Sequence, residues 1–260
     1  MKLNVKFFSF CIVFSLLFSF GAHAECDPAI GWYCKRNSEH RQPSLDTRLA
    51  YVEELGGYYI DHKHGDASED KVVYLTFDAG YENGNIERIL DTLKAEDVKG
   101  AFFILGNLIK SNTALVIRMA DEGHTLCNHT NTHKDMTRVK SEAEFKAELE
   151  SLEALYLEYT GRELSKYYRP PEGKFNRTTM EYASDLGYKT IFWSFAYADW
   201  DNNAQMSVSA ARKKIMDNIH NGAVILLHPT SKTNADILGE VIRELKADGY
   251  RFGTLDELTR

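Results

Sequence analysis

Residues 72–81 read V-V-Y-L-T-F-D-A-G-Y, and this stretch decides the fold. From Val72 to Phe77 (VVYLTF) apolar and β-branched residues run without alternation, and the run stops at an acid, a small residue and a glycine. A strand covered on both faces has this pattern, whereas a half-exposed strand alternates. Further candidate strands are Ala101–Leu105, His124–Asn128, Lys166–Arg169, Thr190–Phe195, Val224–Leu227 and Arg251–Gly253, the best of them continuously apolar in the same way. Amphipathic segments fall between them. Ile86, Ile89, Leu90 and Leu93 keep helical spacing. So do Phe145, Leu149, Leu152, Tyr156 and Tyr159, and again Ile237, Leu238, Val241, Ile242 and Leu245. Ser141 with Glu144 predicts a capping box, and Gly161 a helix stop. Roughly seven βα units predict a parallel, barrel-like α/β domain, too compact for an eight-unit barrel with long loops.

The sequence ahead of residue 71 reads differently. Lys2 and Lys6 precede an uncharged run from Phe7 to Phe20, and Ala22-His23-Ala24 is a small-x-small cleavage pattern. This predicts a secretory signal peptide over residues 1–24. The run is too short for the ~18–20 residues of a membrane span, so no stable membrane insertion is expected after cleavage. Residues 25–70 are polar and irregular and read as an N-terminal extension lying over the domain. Export places the chain in an oxidising compartment, secreted or periplasmic, where Cys26 and Cys34 could close a small loop. Cys127 reads as a small core hydrophobe. The cluster His62, Lys63, His64 and Asp66 reads as a solvated loop rather than a metal site. The whole chain of 260 residues carries 38 acids against 31 Lys and Arg, a net charge of −7. That balance argues against nucleic acid as a partner, because phosphate binding is built from clustered cations. A neutral polymer such as a polysaccharide is not excluded.

In parallel βα folds reactive groups collect where strands end. The first run ends in Asp78-Ala79-Gly80-Tyr81, and the third in Asn128-His129-Thr130-Asn131-Thr132-His133. The fourth ends in Arg169-Pro170-Pro171-Glu172-Gly173, the fifth leads to Asp199-Trp200, and the sixth ends in His228-Pro229. A surface loop explains any one of these and explains the set poorly. His129 and His133 are four apart; if the chain turns helical there, both imidazoles share a face, as two ligands of one divalent metal would. Asp78 alone could be a general base, a metal ligand or a helix N-cap. His228 alone could be a general acid or a satisfied core histidine.

Together, T-F-D-A-G-Y-E-N-G (Thr76–Gly84), N-H-T-N-T-H (Asn128–His133), R-P-P-E-G (Arg169–Gly173), D-W (Asp199-Trp200) and L-L-H (Leu226–His228) resemble the five ordered motifs of the polysaccharide deacetylases. These are carbohydrate esterase family 4, or the NodB-homology domain. Asp-Ala-Gly in the first motif and the stretch from Leu226 to Ala235 resemble the delta-lactam-biosynthetic, peptidoglycan de-N-acetylase subgroup. The resemblance implies a distorted (β/α)7 barrel over residues 71–260 and metal-assisted removal of an N-acetyl group. By position, Asp78 resembles the catalytic base and Arg169 the residue that orients it. His129 and His133 resemble metal ligands, with zinc the expected ion. The backbone N–H of Glu172 would hold the oxyanion, Trp200 would shape the acetyl pocket, and Tyr81 joins them as a substrate-binding residue. Asp199 would tune His228, which resembles the general acid. An amide carbonyl is a poor electrophile and its amine a poor leaving group, so hydrolysis needs a polarising cation, an activated water and a proton donor.

Two positions depart from the family pattern. Ala79 stands where most members carry a second Asp, the third metal ligand. Lys134 follows the second histidine, where Ser, Thr or Pro is usual, and reads as a solvated loop residue; neutralising a nearby acid or meeting an anionic substrate are the alternatives. The expectation is an exported, monomeric enzyme acting on N-acetylmuramic acid or N-acetylglucosamine of peptidoglycan. A chitooligosaccharide deacetylase or an acetylxylan esterase is the alternative within the enzymes, and a non-catalytic glycan-binding protein the alternative outside them.

Overall fold

The computed structural model describes residues 27–260. The leader read at residues 1–24 and the Cys26 half of the suggested disulfide lie outside the described residues. The chain opens with β1 (Ile30–Gly31), α1 (Tyr51–Glu54) and β2 (Gly57–Tyr58). The main alternation follows as β3 (Lys71–Ala79), α2 (Asn85–Ala95), β4 (Ala101–Ile104), α3 (Gly106–Ser111), α4 (Thr113–Asp121) and β5 (Thr125–Asn128). Next come α5 (Glu142–Thr160), β6 (Tyr167–Tyr168), β7 (Lys174–Phe175), α6 (Arg177–Asp185) and β8 (Lys189–Ile191). The chain finishes with α7 (Val208–Met216), β9 (Ala223–Leu227), α8 (Lys232–Ala247), β10 (Tyr250–Phe252) and α9 (Leu255–Leu258).

The large sheet runs β10-β3-β4-β5-β6-β8-β2, all parallel, with β9 on the other edge of β3. Its two ends approach each other through single bridges, Phe195 to Ile225 and Ile60 to Ala223. The sheet is thereby curled into the expected distorted (β/α)7 barrel. The strand expected over Thr190–Phe195 is regular only to Ile191: Phe192 N–H still donates to the Tyr58 carbonyl of β2 at 2.8 Å, and from Ser194 onward the bonds switch to Val224 of β9. Beyond that point the chain crosses to β9. The weak closure leaves this side of the barrel irregular.

Alternation along β3 sorts the core into two layers. Val73, Leu75, Phe77 and Ala79 pack outward with Ile86, Leu90, Val241 and Ile242 of α2 and α8. Val72 and Tyr74 face inward with Phe103, Cys127, Ile191 and Val224. Both faces are buried, which is why the strands read as continuous apolar runs. Cys127 is buried as expected. Ser141 caps α5 by accepting the Glu144 N–H, and Gly161 ends it at φ 70°. The capping box is only half formed. The Glu144 carboxylate takes the Lys140 N–H at 2.8 Å and pairs with Lys134, which is therefore ion-paired rather than simply solvated.

Residues 27–60 are built onto this scaffold. β1 pairs antiparallel with β7. Trp32 stacks on Phe192 with centroids 4.1 Å apart and donates from Nε1 to the Trp193 carbonyl at 2.8 Å. His62, Lys63 and Asp66 are exposed. His64 departs from the solvated reading. Its Nδ1 lies 2.6 Å from the buried Asp61 carboxylate, and its Nε2 3.2 Å from Asp70. Among the described residues no helix is long and apolar enough to cross a membrane.

Candidate active site

The carboxylate of Asp78 sits at the end of β3 on the inner face. Its Oδ1 accepts from Arg169 Nη1 at 2.8 Å. Arg169 follows β6, is fully buried, and has its guanidinium 4.1 Å from the Phe103 ring centroid. Its other N–H groups donate to Thr76 Oγ1 at 2.9 Å, the Ile191 carbonyl at 2.9 Å and the Phe192 carbonyl at 3.2 Å. All three nitrogens of the fork donate to fixed acceptors, four hydrogen bonds in all, so the carboxylate is held rigidly. Burial alone would favour the neutral acid, but the positive charge of Arg169 outweighs it and holds Asp78 below the usual carboxylate range.

His129 follows β5 and is buried. Its Nδ1–H donates to the Arg169 carbonyl at 2.9 Å, which fixes the tautomer and leaves Nε2 with its lone pair, 3.5 Å from Asp78 Oδ2. Burial pushes this imidazole down to about 4, so it is neutral at pH 7 and its contact with Asp78 is not an ion pair. The segment after His129 is not the helical turn on which a shared face depended. Thr130 and His133 both have left-handed backbone, at φ 69° and 60°. Thr130 N–H donates to Asn128 Oδ1, and His133 N–H to Thr130 Oγ1, both at 2.9 Å. This tight loop still brings the two rings together, with centroids 5.0 Å apart.

A neutral, oriented imidazole with a free Nε2 beside a second imidazole suits a divalent metal ion. The fit is to a two-imidazole site. Among the described residues no group of three or more His, Cys, Asp or Glu side chains is arranged to hold a metal. Ala79 is fully buried in the outer apolar layer with Phe77 and Ile104, so its position contributes packing rather than a donor.

Across the pocket, His228 follows β9. Its Nδ1 is 2.7 Å from Asp199 Oδ1, and its backbone N–H donates to Asp199 Oδ2 at 2.8 Å. Asp199 is buried and lies in the loop that follows β8. Burial of His228 disfavours its cation, yet the hydrogen bond and charge of Asp199 raise it above its ordinary value. Nε2 is left as the ring nitrogen open to the pocket.

Asp78, Tyr81, His129, His133, Glu172, Trp200 and His228 all line one cavity of about 680 Å³. Arg169 and Asp199 stand behind its wall, each bonded to a lining residue. Trp200 and Tyr81 are exposed at the mouth, and Asn202 Nδ2 donates to the Tyr81 hydroxyl at 2.7 Å, tying their loops together. Glu172 sits in a tight turn at φ 56°, its carboxylate 2.7 Å from Lys174 Nζ. Trp193, Leu105, Ala196, Tyr197 and Thr230 also line the cavity and were not foreseen. Trp193 is part of an apolar run in the sequence, which conceals that it turns toward the cavity at an irregular strand end.

The Polysaccharide deacetylase profile matches residues 65–191. The chain is 37% identical to the peptidoglycan-N-acetylmuramic acid deacetylase PdaA of Bacillus subtilis, over 96% of this chain and 94% of that protein. The solved structure of PdaA, a family 4 carbohydrate esterase, superposes with a TM-score of 0.82 over 88% of this chain and 96% of the other. A 30.6 kDa protein of Geobacillus stearothermophilus is 40% identical over 95% of this chain and 91% of its own length. A family 4 carbohydrate esterase of Bacillus anthracis, 34% identical, matches with a TM-score of 0.72 over 89% and 96%. Fold, motif order and full-length similarity agree, and the chain belongs to the polysaccharide deacetylase family, carbohydrate esterase family 4, as a hydrolase of amide bonds.

Proposed function

We propose that this protein removes the N-acetyl group from an amino sugar of peptidoglycan, with N-acetylmuramic acid the favoured sugar. The carrying observation is the opposed pair of couples in one cavity: Asp78 held below the usual carboxylate range by Arg169, and His228 raised above its ordinary value by Asp199. The similarity to PdaA over nearly the whole of both chains supports the choice of polymer and sugar. Environments that push two titratable groups apart assign the base and the acid.

Asp78 Oδ2, the oxygen not taken by Arg169, accepts a proton from the attacking water. Arg169 keeps the carboxylate ionised and aimed. His129 Nε2 and His133 would hold a divalent ion, with zinc the expected one. When bound, that ion polarises the acetyl carbonyl and lowers the cost of forming hydroxide. The Glu172 N–H, presented by a left-handed turn, donates to the developing oxyanion. Trp200 packs against the acetyl group, and Tyr81 offers an aromatic face at the mouth. His228 Nε2–H protonates the departing amine, and Asp199 stabilises the imidazolium before the transfer. The reading includes export after cleavage at residue 24, action as a monomer, residues 25–70 as an extension, and 71–260 as the catalytic domain.

Incubating the purified chain with peptidoglycan glycan strands should release acetate, and mass spectrometry of digested strands should locate the free amine. A free amine on glucosamine would move the sugar assignment. No acetate from any glycan, with or without added zinc or cobalt, refutes the activity.

A further inference from the structure

Asn234 lies in the first turn of α8 and is fully buried; it falls within the Leu226–Ala235 stretch that carries the subgroup resemblance and has none of the roles given above. Its Nδ2 donates to Asp199 Oδ2 at 2.6 Å and to the His228 backbone carbonyl at 3.1 Å. Its Oδ1 accepts from the Tyr197 hydroxyl. The two acceptors on one side and the hydroxyl on the other fix which end of the amide is nitrogen. Its own backbone is pinned, because Asn234 N–H donates to Ser231 Oγ at 3.1 Å, the N-cap of α8. One amide therefore grips both members of the Asp199–His228 couple, and the N-terminus of a long helix holds that amide in place.

The consequence is geometric. Asp199 uses Oδ1 for the His228 ring and Oδ2 for the His228 N–H and Asn234. Without Asn234, Oδ2 keeps a single donor from the same residue it is meant to orient, and the carboxylate can rotate with the ring. We propose that Asn234 is a positioning residue for proton delivery, fixing Asp199 so that the His228 ring stays oriented with Nε2 aimed into the cavity. Tyr197, part of the cavity wall, supports it through its hydroxyl. The inference rests on the reading of His228 as the general acid.

The test uses Asn234→Ala, the isosteric Asn234→Asp, and Tyr197→Phe in the full chain, each checked for thermal unfolding. His228→Ala serves as the reference. The readouts are kcat and KM for acetate release across pH, and the His228 titration followed by NMR of labelled histidine. Asp199, Asp78 and Arg169 are the charged groups felt by His228. Asn234→Ala should lower kcat about 10- to 100-fold with KM little changed, the usual scale for losing an outer partner of an oriented imidazole. Its His228 titration should move down. Asn234→Asp sets a second carboxylate against Asp199, and the titration should move up, carrying the alkaline limb of kcat with it. Tyr197→Phe leaves both Nδ2 bonds and should cost less than about threefold.

A merely structural role would lower the unfolding temperature and leave the His228 titration in place; that result overturns the inference. So does kcat within about twofold of wild type in both Asn234 variants. If His228→Ala itself retains full activity, the general-acid reading fails instead. Should Asn234→Ala not fold, the opposite shifts expected for Asn234→Asp and absent for Tyr197→Phe still decide the matter.

Discussion

Replacing Arg169 by Met isolates what the buried guanidinium does. The side chain is fully buried and Asp78 is nearly so, with a side-chain exposure of 10%. The substitution keeps an unbranched apolar stem over Phe103 and removes four hydrogen bonds, to Asp78, Thr76, Ile191 and Phe192. The Asp78 carboxylate is then left in a buried site with only the His129 imidazole 3.5 Å away. Breaking a buried ion pair from one side costs ~3–5 kcal/mol, mostly because the surviving charge has no partner. Each orphaned carbonyl adds up to ~1–3 kcal/mol, not additively. Against a whole-domain stability of ~5–15 kcal/mol, Arg169→Met should be folded but severely weakened. Converting Asp78 to Asn in the same chain removes the stranded charge. The double variant should therefore be at least ~2 kcal/mol more stable than the two single losses summed, within the range measured for directly coupled neighbours. Urea unfolding at neutral pH with a chelator present measures all four corners of the cycle. A loss below ~1 kcal/mol in Arg169→Met, or strict additivity in the cycle, would refute the claim that the guanidinium exists to compensate Asp78.

Three further outcomes follow from the same geometry. His228 is raised above its ordinary value by Asp199, so its contribution to stability is full below the unfolded-state pKa of ~6.5 and is lost as pH rises through the folded value. Unfolding free energies taken from mildly acidic to alkaline pH should fall across that window, and Asp199→Asn should flatten the fall; equal slopes would contradict the pairing. The two-imidazole site should bind zinc weakly enough to lose it on dialysis, and His133→Ala should abolish the calorimetric signal. Dialysis-resistant zinc in the wild type would mean that a third protein donor exists. Ala79→Asp buries a carboxylate in the outer apolar layer and should cost at least ~2 kcal/mol in chelator-treated protein. Unchanged stability there would show that residue 79 can turn to solvent or to the cavity.

What could be read in advance depended on how periodic the physical demand was. Strands covered on both faces must be apolar throughout, so Val72–Phe77 and Val224–Leu227 announced themselves. The β2 pair Gly57–Tyr58 carries no pattern because two residues cannot show a period. It nevertheless pairs with the regular part of β8. The candidate-site groups were legible as a set because a parallel barrel delivers strand ends to one rim. The loop from His129 to His133 was not legible. Left-handed backbone at Thr130 and His133 comes from the side-chain acceptors Asn128 and Thr130, and no glycine marks either position. Asn234 was legible only as one position of the Leu226–Ala235 stretch; its role was not, because the sequence does not show that its side chain faces inward to Asp199 on another loop.

The arrangement around Arg169 explains why one site can hold a base and a metal-ready imidazole side by side. A carboxylate 3.5 Å from an imidazole would ordinarily draw a proton onto the ring and spend both groups on each other. Burial acts first on His129, pushing it down to about 4, and the nearby guanidinium works in the same direction. The same positive charge overcomes the burial of Asp78 and keeps it ionised. The carbonyl of Arg169 then takes the His129 Nδ1–H, so the residue sets the tautomer as well as the charges. One buried residue thus holds Asp78 deprotonated and turns the lone pair of His129 toward the cavity, while burial keeps that imidazole neutral. A lysine here would supply a charge without the rigid fork. Arg169→Lys should accordingly retain much of the stability while losing the fixed aim of Asp78, and a kcat defect larger than the stability defect is the result that would distinguish aim from charge.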